Sequence, residues 1–144
     1  MKIFIFDRNL VSFFSSNERY AFISIADVGS GHPLLIENEN CCGVLRLHFD
    51  DMDIDLPYDK IPEDIIVKRN LFNIDHAQKI KDFVNKIDPE NIAVHCNMGL
   101  SRSPAVAAAL YEYFGELELA KDIFERFNPN MHVYRTLDFV LNKD

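Results

Sequence analysis

One stretch of the sequence, IAVHCNMGLSRSPAVAAAL (residues 92–110), restricts the fold more than any other. A short apolar run ends at Cys96, six residues follow it, and an alanine-rich helical pattern begins at Ser103 and Pro104. Serine is a common helix N-cap and proline suits the first helical position, so we expect a helix over 103–114. A buried strand that passes through a tight loop into a helix is typical of α/β proteins.

The rest of the chain contains further segments of strand and helix type. Periodicity and turn residues predict strands over 2–6, 19–27, 43–51 and 91–95, and helices over 74–87, 103–114, 116–127 and 132–143. Asn73 is the expected N-cap of the helix over 74–87. Residues 52–70 carry two prolines and no clean period, which favours an irregular excursion that could include a short helical turn. The order predicts one α/β domain over 1–144, with a central, mostly parallel sheet of about four to five strands flanked by helices.

Charge and cysteine content exclude several classes of protein. With 15 basic and 23 acidic residues the net charge is −8, and such a surface repels nucleic acid and anionic lipid, so neither is an expected partner. Three cysteines without a Cys-x-x-Cys pair form neither a disulfide framework nor a zinc site. Since no apolar run approaches transmembrane length, we expect a soluble, cytoplasmic protein.

The loop over 96–102 has the composition of an anion site that also holds a nucleophile. In open α/β sheets ligands bind at the carboxyl ends of strands, beside helix N-termini. Gly99 permits a positive-φ path that brings backbone N–H groups together, and the planar fork of Arg102 matches two oxygens of a phosphate. The same positive field favours the thiolate form of Cys96, which is the nucleophilic form.

At these residues the sequence resembles the protein tyrosine phosphatase superfamily. The family motif is His-Cys-x5-Arg-Ser/Thr, with a glycine three positions after the cysteine, between a strand and a helix. Here it reads His95-Cys96-Asn97-Met98-Gly99-Leu100-Ser101-Arg102-Ser103. A bare Cys-x5-Arg pattern has little specificity, but the added histidine, glycine and serine in a strand–loop–helix setting make the match specific.

The resemblance implies a role for each matched residue. Cys96 would take the phosphoryl group as a thiophosphate, Arg102 would bind the phosphate, and the Ser103 hydroxyl would help the thiolate to leave. His95 would order the loop by hydrogen bonds, and no metal or cofactor is implied. The backbone groups that would cradle the phosphate oxygens belong to Asn97, Met98, Gly99, Leu100 and Ser101.

The general acid is less well determined by the sequence. The family supplies an aspartate from a loop after an earlier strand, and LRLHFDDMD is similar to the Phe-x-Asp pattern of several members, which favours Asp51. Asp50 is the near alternative, and Asp64 is a third because a spacing of about thirty residues between acid and cysteine is common in the family. For Asp53 and Asp55 we expect a solvated strand end.

The branch that the chain resembles is the compact, dual-specificity type. The chain has no tryptophan, and its single glutamine, Gln78, precedes the motif, unlike the classical tyrosine-specific members. The variable loop positions are uncharged, whereas phosphoinositide-directed members carry lysines there. Met98 stands where many members have a small residue, and it is expected at the pocket rim.

The expected function is that of a cysteine-dependent phosphatase that acts on a phosphorylated protein or peptide. Phosphotyrosine is the expected substrate, with phosphoserine and phosphothreonine left open. The first alternative is a phosphate-recognition module without a working acid, and the second is a rhodanese- or arsenate-type enzyme with sulfur chemistry. No role is assigned to the other cysteines, expected to be buried, or to the other histidines, expected in loops (His32, His132) or on the surface (His48, His76).

Overall fold

A computed structural model describes residues 1–143 and shows a layered α/β fold. Its strands are β1 (Lys2–Phe6), β2 (Tyr20–Ala26), β3 (Cys41–His48) and β4 (Asn91–His95). Its helices are α1 (Glu63–Lys68), α2 (Ile74–Ile87), α3 (Arg102–Tyr113), α4 (Leu117–Arg126) and α5 (Met131–Leu141), with 3-10 turns at Leu10–Phe13 and Tyr58–Lys60. Within this part of the chain, no helix is long and apolar enough to cross a bilayer.

The sheet over the described residues has four strands, all parallel, in the order β1-β4-β2-β3. The two central strands, β2 and β4, are buried at every position, as expected of parallel strands covered on both faces. The predicted mostly parallel α/β sheet is therefore confirmed. Because all strands run in the same direction, their carboxyl ends lie along one side of the sheet, its carboxyl edge. Asp27, Phe49 and Cys96 lie at this edge.

Two apolar layers cover the sheet. Alternate strand residues such as Ile23 and Val94 face the larger core, where they pack with helices α2 to α5, since successive strand residues point to opposite faces. Phe22 and Ala93 face the other side and pack with Val11 of the first 3-10 turn. The alanine-rich α3 is buried along most of its length, so small side chains let it lie close to its neighbours.

The helix boundaries follow local capping chemistry. Asn73 caps α2 as predicted: its side chain accepts from the N–H of His76, and the His76 ring accepts from the N–H of Asn73. The prediction that Ser103 caps α3 is wrong, because the N-cap is Ser101 and Ser103 is the second helical residue. Ser103 is buried and turns its hydroxyl towards Cys96 instead.

The segment between β3 and α2 has a small core of its own. Ile61, Ile66 and Leu71 are buried together, and Met52 and Tyr58 pack against them. One 3-10 turn and the short helix α1 lie within the segment, so the predicted irregular excursion contains more helix than expected. This segment, residues 52–70, is the excursion. It begins beside the carboxyl edge of the sheet, where Cys96 lies, so it helps to enclose that edge.

Candidate active site

Cys96 lies at the floor of an open cavity of about 360 Å³ at the carboxyl edge of the sheet. The residue is only 2% exposed, yet it lines this cavity together with Arg102 and Asn97. The Cys96 Sγ lies 3.2 Å from the Ser103 Oγ and 3.5 Å from the Ser103 N–H nitrogen. A hydroxyl and an amide at the first turn of α3 can therefore both donate to a thiolate at this position.

The loop over 96–102 packs against the end of β1. Gly99 has a φ of 70°, and a Cβ placed on it would lie 2.8 Å from the carbonyl carbon of Phe6. Glycine is needed here both for the left-handed backbone and for this close approach. The N–H of Arg8 donates to the Asn97 carbonyl at 3.1 Å, which fixes the loop from the same side.

The backbone amides of residues 97–102 donate no hydrogen bond to any other group in residues 1–143. Paired backbone N–H groups are the rule in folded proteins, so a run of unpaired ones next to a helix N-terminus is characteristic of an anion-binding nest. Asn97, Met98, Ser101 and Arg102 line the cavity, and Met98 is largely exposed at its rim. Gly99 and Leu100 are not among the residues that line it.

Arg102 is oriented by two partners that the sequence analysis did not identify. One terminal nitrogen, Nη1, donates to the Phe49 carbonyl and to the Asp27 carboxylate, each at 2.7 Å. The side chain is 4% exposed, and its Nε is buried without a hydrogen-bond partner among the described residues. A buried guanidinium with one nitrogen anchored and another free is prepared to bind a second anion through the free side of its fork.

His95 is fixed by a buried chain of hydrogen bonds. Its Nδ1 lies 3.2 Å from the Cys96 carbonyl oxygen, which can only accept, so Nδ1 carries the hydrogen. Nε2 must then accept from the Ser24 hydroxyl, and the Ser24 oxygen accepts from His32 Nδ1 at 2.8 Å. Burial lowers the pKa of His95 to about 4, so the ring is neutral near pH 7.

The three predicted acids lie in different places. Asp51 lines the cavity, and its Oδ1 accepts from the Ser101 hydroxyl at 2.9 Å and from the Asn130 side-chain amide at 2.8 Å. Asp50 also lines the cavity, but both of its oxygens accept hydrogen bonds, from the Val28 N–H and from the Asn70 side chain. Asp64 is exposed on α1 and does not line the cavity.

Asn130 is the main residue at this site that sequence reasoning missed. Its side-chain amide donates to Asp51 and to the Met52 carbonyl, its side-chain oxygen caps α5, and its N–H donates to the Ser101 carbonyl. Asn130 therefore connects the segment that begins at Asp51, the loop over 96–102 and the start of α5. The only available signal was Asn130 as an N-cap in the NPN stretch, which says nothing about long-range partners.

Several expectations for neighbouring residues need correction. Asp53 is exposed, as expected, but it also has a structural role that was not expected, because its carboxylate accepts from the N–H groups of Met131 and His132 at the start of α5. His132 is not in a loop: it is buried on α5, 2.7 Å from the Phe72 carbonyl through Nε2. Asp55 is fully exposed, as expected.

The remaining cysteines are not near the site. Cys41 and Cys42 are half-buried at the start of β3, at the opposite edge of the sheet from Cys96. Within residues 1–143, no group of three or more His, Cys, Asp or Glu side chains is arranged to hold a metal ion.

Comparisons with known proteins identify the fold but not a family by sequence. No family model and no curated protein sequence matches the chain. Among solved structures, the human tyrosine phosphatase-like serine/threonine/tyrosine-interacting protein matches with a TM-score of 0.50 and 19% identity, over 83% of this chain and 74% of that one. The Yvh1 phosphatase domain from Chaetomium thermophilum matches with a TM-score of 0.46 and 21% identity, over 85% and 77%.

The parallel sheet, the helices around it and the first of these matches agree with the resemblance stated from the motif. This chain has the fold of the dual-specificity-like branch of the protein tyrosine phosphatase superfamily.

Proposed function

We propose that this protein is a cysteine-dependent phosphatase that hydrolyses phosphotyrosine in proteins or peptides through a phosphocysteine intermediate. The observation that carries the proposal is one cavity lined by Cys96, Arg102 and Asp51 together. Unpaired amides of the loop complete a binding place for a tetrahedral dianion. A nucleophile, an anion cradle and an acid are the three groups that phosphoryl transfer to a thiol requires.

In the first step the Cys96 thiolate attacks phosphorus while the bond from phosphorus to the leaving oxygen breaks. Asp51 gives its proton to that oxygen, so the substrate departs as a neutral hydroxyl. The Asp51 Oδ1 already accepts from Ser101 and Asn130, which supports Oδ2 as the oxygen that carries the proton in this proposal. Arg102 and the loop amides balance charge on the three equatorial oxygens.

In the second step a water molecule loses a proton to the Asp51 carboxylate and attacks phosphorus. The phosphorus–sulfur bond breaks, inorganic phosphate forms, and the electron pair returns to Cys96 as a thiolate. The Ser103 hydroxyl, 3.2 Å from Sγ, donates a hydrogen bond to the departing sulfur.

Aspartate substitutions test the acid. Asp51→Asn should lower kcat for phenyl phosphate, a poor leaving group, by about 10²- to 10³-fold, and should have a much smaller effect on a dinitrophenyl phosphate. Asp50→Asn is the matched control in the same cavity, and Asp64→Asn is the control on α1. If all three variants hydrolyse phenyl phosphate as fast as the parent protein, no aspartate of this set acts as the acid.

A phosphate-recognition module without turnover is the second candidate. It is favoured by the ion pair from Asp27 to Arg102, which occupies part of the fork, and by the matched human structure, whose name describes a phosphatase-like interacting protein. The Cys96→Ser variant separates the two functions. A phosphatase should lose turnover and keep phosphotyrosine-peptide binding in this variant, whereas a recognition module shows the same binding and no turnover in both proteins.

The sulfur-chemistry alternative makes different predictions. Thiosulfate:cyanide transfer or arsenate reduction without phosphatase activity would replace the proposal. A phosphatase of this kind should instead keep its activity in a chelator and lose it in vanadate and in mild peroxide, since an accessible thiolate oxidises readily. A panel of phosphotyrosine, phosphoserine and phosphothreonine peptides, with a phosphoinositide and RNA 5′-triphosphate beside them, then measures specificity.

A further inference from the structure

A second cavity, of about 550 Å³, lies between the excursion and the exposed face of α5. It is lined by residues 55–59 together with Arg135 and Phe139. Its volume is in the range of protein sites that hold a small ligand or a side chain. Nothing in the proposed reaction uses it.

The lining of this cavity is apolar with a charged rim. Phe139 is 59% exposed and Leu56 is 46% exposed, so two large apolar side chains face solvent at one concave place. Exposed apolar side chains that cluster beside polar ones are typical of interaction sites. At the rim, Asp55 faces Arg135 at 3.5 Å, while Asp59 forms no ion pair within residues 1–143, which leaves a net negative charge.

Two independent distances place the second cavity close to the catalytic cavity. Asp51 lines the catalytic cavity and Asp55 lines the second, and four residues of chain span at most about 14 Å. Asn130 contacts Asp51 at the start of α5, and Phe139 lies nine residues along the helix, about 14 Å away at 1.5 Å per residue. An extended peptide covers such a distance in about three to five residues.

We propose that the second cavity binds an apolar side chain of the substrate itself, about three to five residues from the phosphotyrosine. This proposal rests on the phosphatase function proposed above. The preferred segment carries leucine or phenylalanine at the anchor position, and a lysine or arginine next to it faces Asp59. The shared excursion makes the two cavities one continuous docking surface, with the phosphate in the first and the anchor in the second.

The test uses phosphotyrosine peptides in which a single leucine replaces alanine at each position on either side of the phosphotyrosine. We expect KM to fall by about tenfold when leucine stands at the anchor position, with kcat unchanged, because burying a leucine is worth about that factor. In Phe139→Ala and Leu56→Ala this advantage should disappear. Turnover of para-nitrophenyl phosphate, which is too small to reach the second cavity, should stay at the parent level.

Matched controls separate this effect from general loss of stability. Phe13→Ala removes another exposed aromatic ring, which lines neither cavity, and it should leave the leucine advantage intact. Asp59→Lys should reduce the further preference for a basic residue beside the anchor. Equal KM values for leucine and alanine peptides at every position, or an advantage that survives both Phe139→Ala and Leu56→Ala, would overturn the proposal.

Failure of the phosphatase function gives a different result. If para-nitrophenyl phosphate and all peptides are not hydrolysed, the same peptides are titrated against the Cys96→Ser variant and their affinities compared. A leucine advantage that Phe139→Ala removes supports the anchor site even then, and equal affinities refute it. Concentration-dependent dimerisation that Phe139→Ala abolishes would assign the cavity to a second copy of the chain and also refute it.

Discussion

The two sides of the cavity that Cys96 and Asp51 line are built in different ways. On the side of Cys96, the proposed nucleophile, Cys96 and Ser103 are in contact across seven residues of sequence, within one strand–loop–helix unit. On the side of Asp51, the proposed acid, the carboxylate is held by Ser101 and Asn130, which are 50 and 79 residues away. Local geometry therefore forms the proposed anion cradle, whereas the position of Asp51 depends on how the excursion and α5 pack against it.

Arg102 is the residue at which the two sides meet. Its backbone belongs to the first turn of α3, but its side chain is oriented by Phe49, which is 53 residues away, and by Asp27. Substitutions on both sides test this division, and Arg102 is the first of them.

The largest effect is expected for Arg102→Lys. An ammonium group is a point charge and cannot bind two phosphate oxygens while also contacting Phe49 and Asp27, so kcat/KM for para-nitrophenyl phosphate should fall by about 10²- to 10³-fold. Affinity for vanadate should fall with it. Activity of the Arg102→Lys variant within about tenfold of the parent protein would show that the fork geometry is not used.

A smaller effect is expected for Asn130→Ala, on the acid side. Loss of the amide donor frees Asp51, so kcat for a poor leaving group should fall by about 10- to 100-fold while a good leaving group is less affected. Loss of the α5 cap should also lower the free energy of unfolding by about 1 kcal/mol.

Asn130→Ser is the matched control, because serine can cap α5 but is too short to reach Asp51. It should restore most of the unfolding free energy without restoring the leaving-group dependence. If both variants show parent activity with phenyl phosphate, the contact between Asn130 and Asp51 does not position the acid.

Ser24→Ala should act mainly on stability. It leaves the buried Nε2 of His95 without a donor, which costs about 1–3 kcal/mol in unfolding free energy. Because His95 also contacts the Cys96 carbonyl, we expect a modest loss in kcat of about two- to fivefold. Thermal unfolding and steady-state kinetics measure the two effects, and an unchanged melting temperature would contradict the assigned hydrogen-bond chain.

The last prediction concerns the pH dependence of the free energy of unfolding. Unfolded histidine binds a proton near pH 6.5, whereas His95 in the folded protein has a pKa of about 4. Because the folded protein holds His95 neutral, its contribution to the free energy of unfolding is fully present above pH 6.5. This contribution is lost progressively as the pH falls towards 4. His95→Asn should therefore flatten part of this slope in denaturant unfolding, and the rest should remain because burial also lowers the pKa of His32, His76 and His132. Identical slopes would contradict the prediction.

Sequence reasoning was most successful where the chemistry is local. The parallel α/β sheet and the cap of α2 were predicted from patterns that span only a few residues, and the structure confirms them. The backbone path of the loop over 96–102 is likewise determined locally, by Gly99, the following helix and the residues between them. Asp51, Asp50 and Asp64 could not be separated, because their positions depend on the packing of residues 52–70.

The amino-acid sequence alone thus determined the strand–loop–helix unit, the cysteine at its turn and the order of elements around it, because short-range periodicity and backbone preferences specify these. Only the tertiary structure decided that Asp27 and Phe49 orient Arg102, that Ser24 and His32 align His95, and that Asn130 holds Asp51. Each of these contacts joins residues from separate elements. No local pattern encodes them, because they arise only when the carboxyl ends of parallel strands and the start of α5 come together at one edge.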